Sequence, residues 1–314
     1  MSKVRVKGEG LAKKVLVLYY SQTGQLKSVI DSFISKLPDE EIQVHMRAIE
    51  PVEEYPYPWK YYEFTDEFPE AVHLDGCEVK EIEFLDDDYD LIILGYTIWF
   101  LAPSSPVVGF LKTEQAKKIF YDKPVITLIA CRDMWVMAQE KMKSLLVDLN
   151  ANLIDNVALT DQGKGIYSFI TTPRWLLSGK KDAFSIFPPA GIHQNDIDKA
   201  SRFGLRLNEA LHKDEEKSGK ALLKNLNAVN IDGKLIAAEK IATRSANIWA
   251  KLIKLCGDKK SLGRKIAMTF YSAFLVVLVF TVVPISIIIR KIVNSFQEEK
   301  LNRLAKKYEE PSGR

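Results

Sequence analysis

The stretch Lys14-Val-Leu-Val-Leu-Tyr-Tyr-Ser-Gln-Thr-Gly-Gln-Leu26 decides the fold. Lys14 to Tyr20, apolar from Val15 onward, has the length and character of a strand covered on both faces of a parallel sheet. It empties into the turn Ser21-Gln-Thr-Gly24 and then a helical pattern, Leu26, Val29, Ile30, Phe33 and Ile34, which Pro38 ends. The cycle repeats. Strands are expected at Ile42 to Ile49, Leu91 to Gly95, Pro124 to Ala130 and Leu153 to Leu159, with helices at about Val107 to Leu111, Met134 to Leu149 and Gln194 to Leu211. Five strands alternating with helices predict a doubly wound α/β sheet over residues 14–215, with insertions at 51–88 and 161–192. In such sheets ligands bind outside the carboxyl ends of the strands, beside the switch point in strand order.

Three loops therefore carry the candidate chemistry. Ser21-Gln22-Thr23-Gly24-Gln25-Leu26 joins two hydroxyls, a glycine turn and the free N–H groups of a helix start, a nest suited to phosphate or a simple helix cap. It has no Lys and is neither a GxxxxGK[ST] loop nor GxGxxG. The second loop begins Gly95-Tyr96-Thr97-Ile98-Trp99-Phe100, where Trp99 or Phe100 can stack on a flat ring while the backbone of Thr97 and Ile98 meets its polar edge. The third, Cys131-Arg132-Asp133-Met134, sets a charge pair at a strand end. Asp133 is there either the cap of the next helix or a substrate-binding or acid/base group. A phosphate nest, an aromatic loop and a polar loop at successive strand ends make a flavodoxin-like arrangement, for which the matching ligand is FMN.

Several segments together resemble one narrower group: Val15 to Leu26, Tyr55-Pro-Tyr-Pro-Trp59, Asp66-Glu-Phe-Pro-Glu70, Thr127-Leu-Ile-Ala-Cys-Arg-Asp-Met-Trp135, Asp155-Asn-Val-Ala-Leu-Thr-Asp161 and Phe169-Ile-Thr-Thr-Pro-Arg-Trp175. They are similar to the flavodoxin-like proteins of dialkylresorcinol and aryl-polyene biosynthesis, often labelled "dialkylresorcinol condensing enzyme". The resemblance implies an FMN-dependent aromatase that oxidises a 2,5-dialkylcyclohexane-1,3-dione to a dialkylresorcinol, downstream of a ketosynthase working with an acyl carrier protein. True condensation needs an acyl-accepting Cys with basic partners. Only Cys131 lies near the expected site, and the four histidines are scattered. For the oxidation, Arg132 is the expected oxyanion contact, and Asp133, Tyr96 and His193 are candidates for proton transfer. Other flavodoxin-like readings are a quinone-coupled membrane dehydrogenase resembling protoporphyrinogen dehydrogenase and an electron carrier without a substrate of its own.

Composition excludes wholesale disorder and a disulfide-stapled miniprotein: 314 residues are 47% hydrophobic and 27% charged, with three cysteines. The net charge of +3 hides an uneven distribution. Residues 1–215 hold 25 Lys+Arg and 33 Asp+Glu (−8), and residues 216–314 hold 19 and 8 (+11). Residues 266–289 are 24 consecutive uncharged positions, enough for a transmembrane helix. Before it, the basic segment 216–265 contains Ile241, Ile248, Trp249, Leu252 and Ile253 on one helical face among Lys240, Arg244, Lys251 and Lys254. That face is expected either in the headgroup plane of an anionic bilayer or on the front domain.

The tails are residues 1–13, which lack the apolar core of a signal peptide, and the basic stretch 290–314. The catalytic domain is thus expected on the cytosolic side of the inner membrane. The aromatics of residues 55–68 suggest a lid over a lipophilic substrate, a strap on the sheet edge or a homodimer interface. No nucleic-acid partner is expected, nor a metal; Asp86-Asp-Asp88 reads as a solvated turn.

Overall fold

The computed structural model describes residues 12–163, 167–294 and 298–312. The chain begins with β1 (Lys13–Tyr19), α1 (Gln25–Ile34) and β2 (Ile42–Ala48); the first insertion supplies α2 (Tyr61–Asp66) and α3 (Phe68–His73). β3 (Leu91–Tyr96) leads into a small hairpin of β4 (Ile98–Trp99) and β5 (Ala102–Pro103), then α4 (Ser105–Leu111) and α5 (Glu114–Phe120). β6 (Pro124–Cys131), α6 (Val136–Asp148) and β7 (Asn152–Thr160) complete the sheet. α7 (Ser168–Ser178) lies in the second insertion. The expected helix from Gln194 to Leu211 is two helices, α8 (Gln194–Asp198) and α9 (Ser201–Leu211).

The main sheet has the order β2-β1-β3-β6-β7, and each neighbouring pair is parallel. Counted along the chain this is 2-1-3-4-5, the doubly wound order whose switch point lies between the first and third strands. Alternation along β1 sends Val15 and Val17 to one face, with Leu26, Phe33 and Phe203 of α1 and α9. Leu16 and Leu18 face the other way, with Phe110, Phe120 and Met142 of α4, α5 and α6. All four β1 positions are fully buried, which is why the run carries no polar residue.

Beyond the sheet come α10 (Gly233–Leu255), α11 (Leu262–Asn294) and α12 (Glu298–Glu309). Of the two alternatives for the basic amphipathic segment, packing on the front domain holds for one face of α10, and the other face is open. Ile236, Ala246, Ala250 and Ile253 are buried, while Ile241, Ile248, Leu252 and Leu255 are exposed. The expected span lies within α11, whose stretch Leu262–Thr281 is long and apolar enough to cross a membrane and is only 17% buried. The open edge of β7 is closed by later chain: the Ala158 N–H reaches the Ala228 carbonyl at 2.9 Å, and Asp155 accepts the Leu222 and Leu223 N–H groups at 2.6 and 3.2 Å. Asp86 and Asp88 pair with Lys14 and Lys123 at the amino end of the sheet.

Candidate functional site at the carboxyl edge of the sheet

The first loop turns at Gly24, whose φ of +80° is left-handed and whose absent Cβ would meet nothing within 4 Å. Among the described residues the N–H groups of Thr23, Gly24 and Leu26 have no protein acceptor. They sit where the α1 dipole favours negative charge. The two hydroxyls act locally: Ser21 Oγ accepts the Lys27 N–H at 3.2 Å and Thr23 Oγ1 that of Gln25 at 3.4 Å. The two glutamine side chains brace other segments. Gln22 accepts Trp59 Nε1–H at 2.9 Å and donates to the Pro56 carbonyl, and Gln25 Oε1 accepts the Ile192 N–H at 3.2 Å. Leu26 is core.

The second loop is the β4–β5 hairpin, turned by Phe100 and Leu101 at φ 49° and 62°. Ile98 packs on the core. Its large aromatics are engaged by the insertion: Trp99 meets Tyr55 and Trp59 edge-on at 5.0 and 5.5 Å, and Phe100 lies 4.7 Å from Phe64 and 5.3 Å from Phe68. Residues 51–73 thus strap the end of β3. Thr97 Oγ1 is buried with no hydrogen-bond partner. Tyr96 requires a correction as a proton-transfer candidate. Its side chain is fully buried, and its hydroxyl donates to Gln139, which in turn donates to Thr127 at 3.0 Å. The last residue of a parallel strand points into the core here, and burial pushes the phenol well up.

In the third loop Arg132 lies over the Phe169 ring, 4.1 Å from its centroid. Burial lowers its pKa, opposed by the carboxylates of Asp133 and Asp161. Asp161 accepts the Gly163 and Gly191 N–H groups at 2.6 and 2.5 Å, and its own pKa is raised by burial. Asp133 Oδ1 is buried and unpartnered. It is not the cap of α6, which starts after Trp135 with no side-chain cap; Met134, at φ 54°, makes the turn. Glu239 of α10 takes that role, accepting the Met137 N–H at 2.6 Å. Burial, with the Asp133 charge adding, pushes Glu239 up to about 7. Burial likewise pushes the Cys131 thiol up, with Asp133 and Glu239 nearby, the opposite of an activated nucleophile. His193 also needs correcting: it is exposed and caps α8, Nδ1 accepting the Asn195 N–H at 3.1 Å.

Beside the strap lies a cavity of ≈ 1090 Å³ lined by Tyr55, Trp59, Tyr61, Tyr62, Cys77 and Lys259 among others. Its polar centre is Glu67, 4% exposed, which accepts from Tyr55 Oη at 3.1 Å, Ser105 Oγ at 2.7 Å and Lys259 Nζ at 2.7 Å. Burial works against the Lys259 ammonium, yet Glu67 leaves its pKa raised; Tyr55 is pushed up by burial and by the Glu67 charge. Sequence reading missed Glu67, Lys259, Gln139 and Glu239. Only the density of acids in the insertion and of cations before the apolar stretch pointed towards the first two.

The strand order and the three carboxyl-end loops define a flavodoxin-like α/β protein. No family model and no curated protein matches the chain. Among solved structures it is similar to a flavoprotein from Lactobacillus acidophilus NCFM in complex with FMN, at 21% identity over 47% of this chain and 93% of that one, with a TM-score of 0.39. A flavodoxin from the domain Archaea shares 11% over 63% and 99% (TM-score 0.35), and oxidised flavodoxin 1 from Bacillus cereus 16% over 61% and 95% (TM-score 0.33).

Proposed function

We propose that the chain is an FMN-dependent oxidoreductase that aromatises a lipophilic cyclic 1,3-diketone, a 2,5-dialkylcyclohexane-1,3-dione, to the dialkylresorcinol, and that its C-terminal helices hold it at a membrane. The observation that carries this reading is the pair of buried, unpartnered oxygens, Thr97 Oγ1 and Asp133 Oδ1, at the carboxyl ends of β3 and β6. Buried polar atoms are rarely left unpaired, and an unpaired one at a strand's carboxyl end is a place where a ligand, ion or water meets it. With the open N–H groups at Gly24, they fit FMN: a phosphate at the first loop and the polar edge of a flat ring at the second and third.

Bound flavin would accept a hydride from the substrate ring. The chain's residues do the rest. Thr23, Gly24 and Leu26 offer backbone donors to the phosphate, and Ser21 and Thr23 can turn their hydroxyls to it. The cation of Arg132, fixed against Phe169, holds the enolate oxygen that forms as a proton leaves. The carbon between two carbonyls is already acidic, so the Asp133 carboxylate is base enough. Loss of one hydride and one proton converts the dione ring to the resorcinol. The cavity beside Trp59 offers room for alkyl chains.

Condensing chemistry is disfavoured by the raised Cys131 pKa. An electron carrier is disfavoured because the strap of Tyr55, Trp59 and Phe64 covers the aromatic loop, whereas a carrier needs an exposed flavin edge. A ketosynthase acting with an acyl carrier protein would supply the dione. Protein purified in detergent should be yellow, lose its flavin absorbance anaerobically on addition of a synthetic 2,5-dialkylcyclohexane-1,3-dione, and release the resorcinol. Protein that takes up no FMN sinks the reading, and bleaching only by a reductase partner moves it to the carrier.

A further inference from the structure

The apolar helix α11 is fastened to the front domain at its start, and the chain beyond it packs on the same body. At its start Arg264, 2% exposed, pairs with Asp66 at 2.6 Å and with Glu70. Two turns later Tyr271 lies 4.6 Å from Phe68 and 5.0 Å from Trp249. Beyond its end, α12 returns to the same body. A Cβ at Gly233 would stand 2.4 Å from the Leu301 carbonyl, so the α10 and α12 backbones touch there. Ala305 is core, Lys143 donates to the Glu310 carbonyl at 3.0 Å, and Ser312 Oγ exchanges hydrogen bonds with Asn156 of β7 at 2.5 and 2.8 Å.

α10 has 23 residues and α11 has 33, or about 34 and 50 Å at 1.5 Å per residue. A helix crossing the roughly 30 Å hydrocarbon core leaves its two flanks on opposite sides. These flanks share one folded domain.

The two faces of α11 differ. Arg264, Met268 and Tyr271 are buried against the domain, and the opposite stripe, Leu262, Ile266, Phe270, Val277 and Phe280, is 50 to 73% exposed. The exposed stripe of α10, Ile241, Ile248, Leu252 and Leu255, adds to it, and exposed Arg244, Lys251, Lys260 and Lys265 flank the two helices. Apolar stripes bordered by cations suit the headgroup and acyl boundary of an anionic leaflet.

Building on the membrane association proposed above, we propose that α11 lies in the plane of one leaflet without crossing it, with the catalytic domain and α12 on the same side. The occupant of the exposed stripes is anionic lipid.

The test uses the full chain with the exposed cysteine removed (Cys256→Ser) and a single exposed reporter, Lys118→Cys on the front domain or Lys306→Cys on α12. Flotation with vesicles containing phosphatidylglycerol should carry the protein. A membrane-impermeant maleimide should label both reporters in inverted membrane vesicles and neither in intact spheroplasts. Labelling of the two reporters from opposite faces overturns the in-plane arrangement and leaves membrane association standing. Failure to float, or a soluble dimer that shields Phe270 and Ile248, overturns membrane association and this proposal together.

Discussion

Glu239 Oε1 accepts the backbone N–H of Met137 at 2.6 Å, so the first turn of α6 is capped by a residue 102 positions further along the chain. This bond ties α10 to the loop that carries Arg132 and Asp133. A carboxylate suits a helix N-terminus, but burial beside Asp133 pushes Glu239 up to about 7.

A carboxyl whose folded pKa is raised favours the folded state most below its ordinary value of 4.5. That contribution is lost as pH rises through about 7. Glu239→Gln keeps an acceptor for Met137 and removes the titration. Its melting temperature should exceed that of the parent at pH 8, by on the order of 1–3 kcal/mol in stability, and converge with it near pH 5. A residual slope belongs to Asp155, raised by burial to about 6. Parallel melting curves across the range would refute the assignment.

Thr97→Val removes a buried hydroxyl that no protein group satisfies. The apoprotein should be as stable as the parent or more so, while FMN should bind about 5- to 30-fold more weakly, the loss of one hydrogen bond of roughly 1–2 kcal/mol. Flavin fluorescence titration and apoprotein melting read the two effects separately. Unchanged FMN affinity would remove Thr97 from the site.

Arg132→Gln should lower kcat for the dione by about 10²- to 10³-fold with FMN still bound, because a fixed cation beside the enolate oxygen is lost. Cys131→Ser should stay within about twofold of the parent, its thiol serving no nucleophilic step. Loss of turnover in the serine variant would revive the condensing reading.

Arg264→Ala leaves Asp66 and Glu70 facing one another without their shared cation. Removing one partner of a buried ion pair costs roughly 3–5 kcal/mol, and adding Glu70→Gln should recover part of it. Thermal melting of the single and double variants decides; additive losses would mean that the two residues do not interact.

Much of the frame was legible because one-dimensional patterns determine it. Val15 to Leu18 has the length and flanks of a strand covered on both faces, and Ser21 to Gly24 has the composition of a turn leading into a helix. Tyr96 was misjudged because strand alternation puts the final residue on one face or the other, and the sequence does not say which face holds Gln139. Asp133 looked like a helix cap by its spacing, and nothing local indicates a competitor at Glu239. The separated charges were visible, but their destination was not. Part of the C-terminal positive charge, on Lys254, Lys259 and Arg264, meets Asp75, Glu67, Asp66 and Glu70 of the insertion. Such pairings depend on three-dimensional proximity that no periodicity records.

The cap on α6 also has a temporal meaning. During synthesis the sheet and the loop bearing Arg132 are made long before α10, and domains fold as they emerge. Until Glu239 appears, the Met137 N–H lacks its side-chain acceptor, and the turn at Met134 is not held from outside. The loop bearing Arg132 therefore gains this outside contact only when the helix leading to α11 is present. Chains cut short before α10 would carry the sheet with the first turn of α6 lacking its Glu239 acceptor.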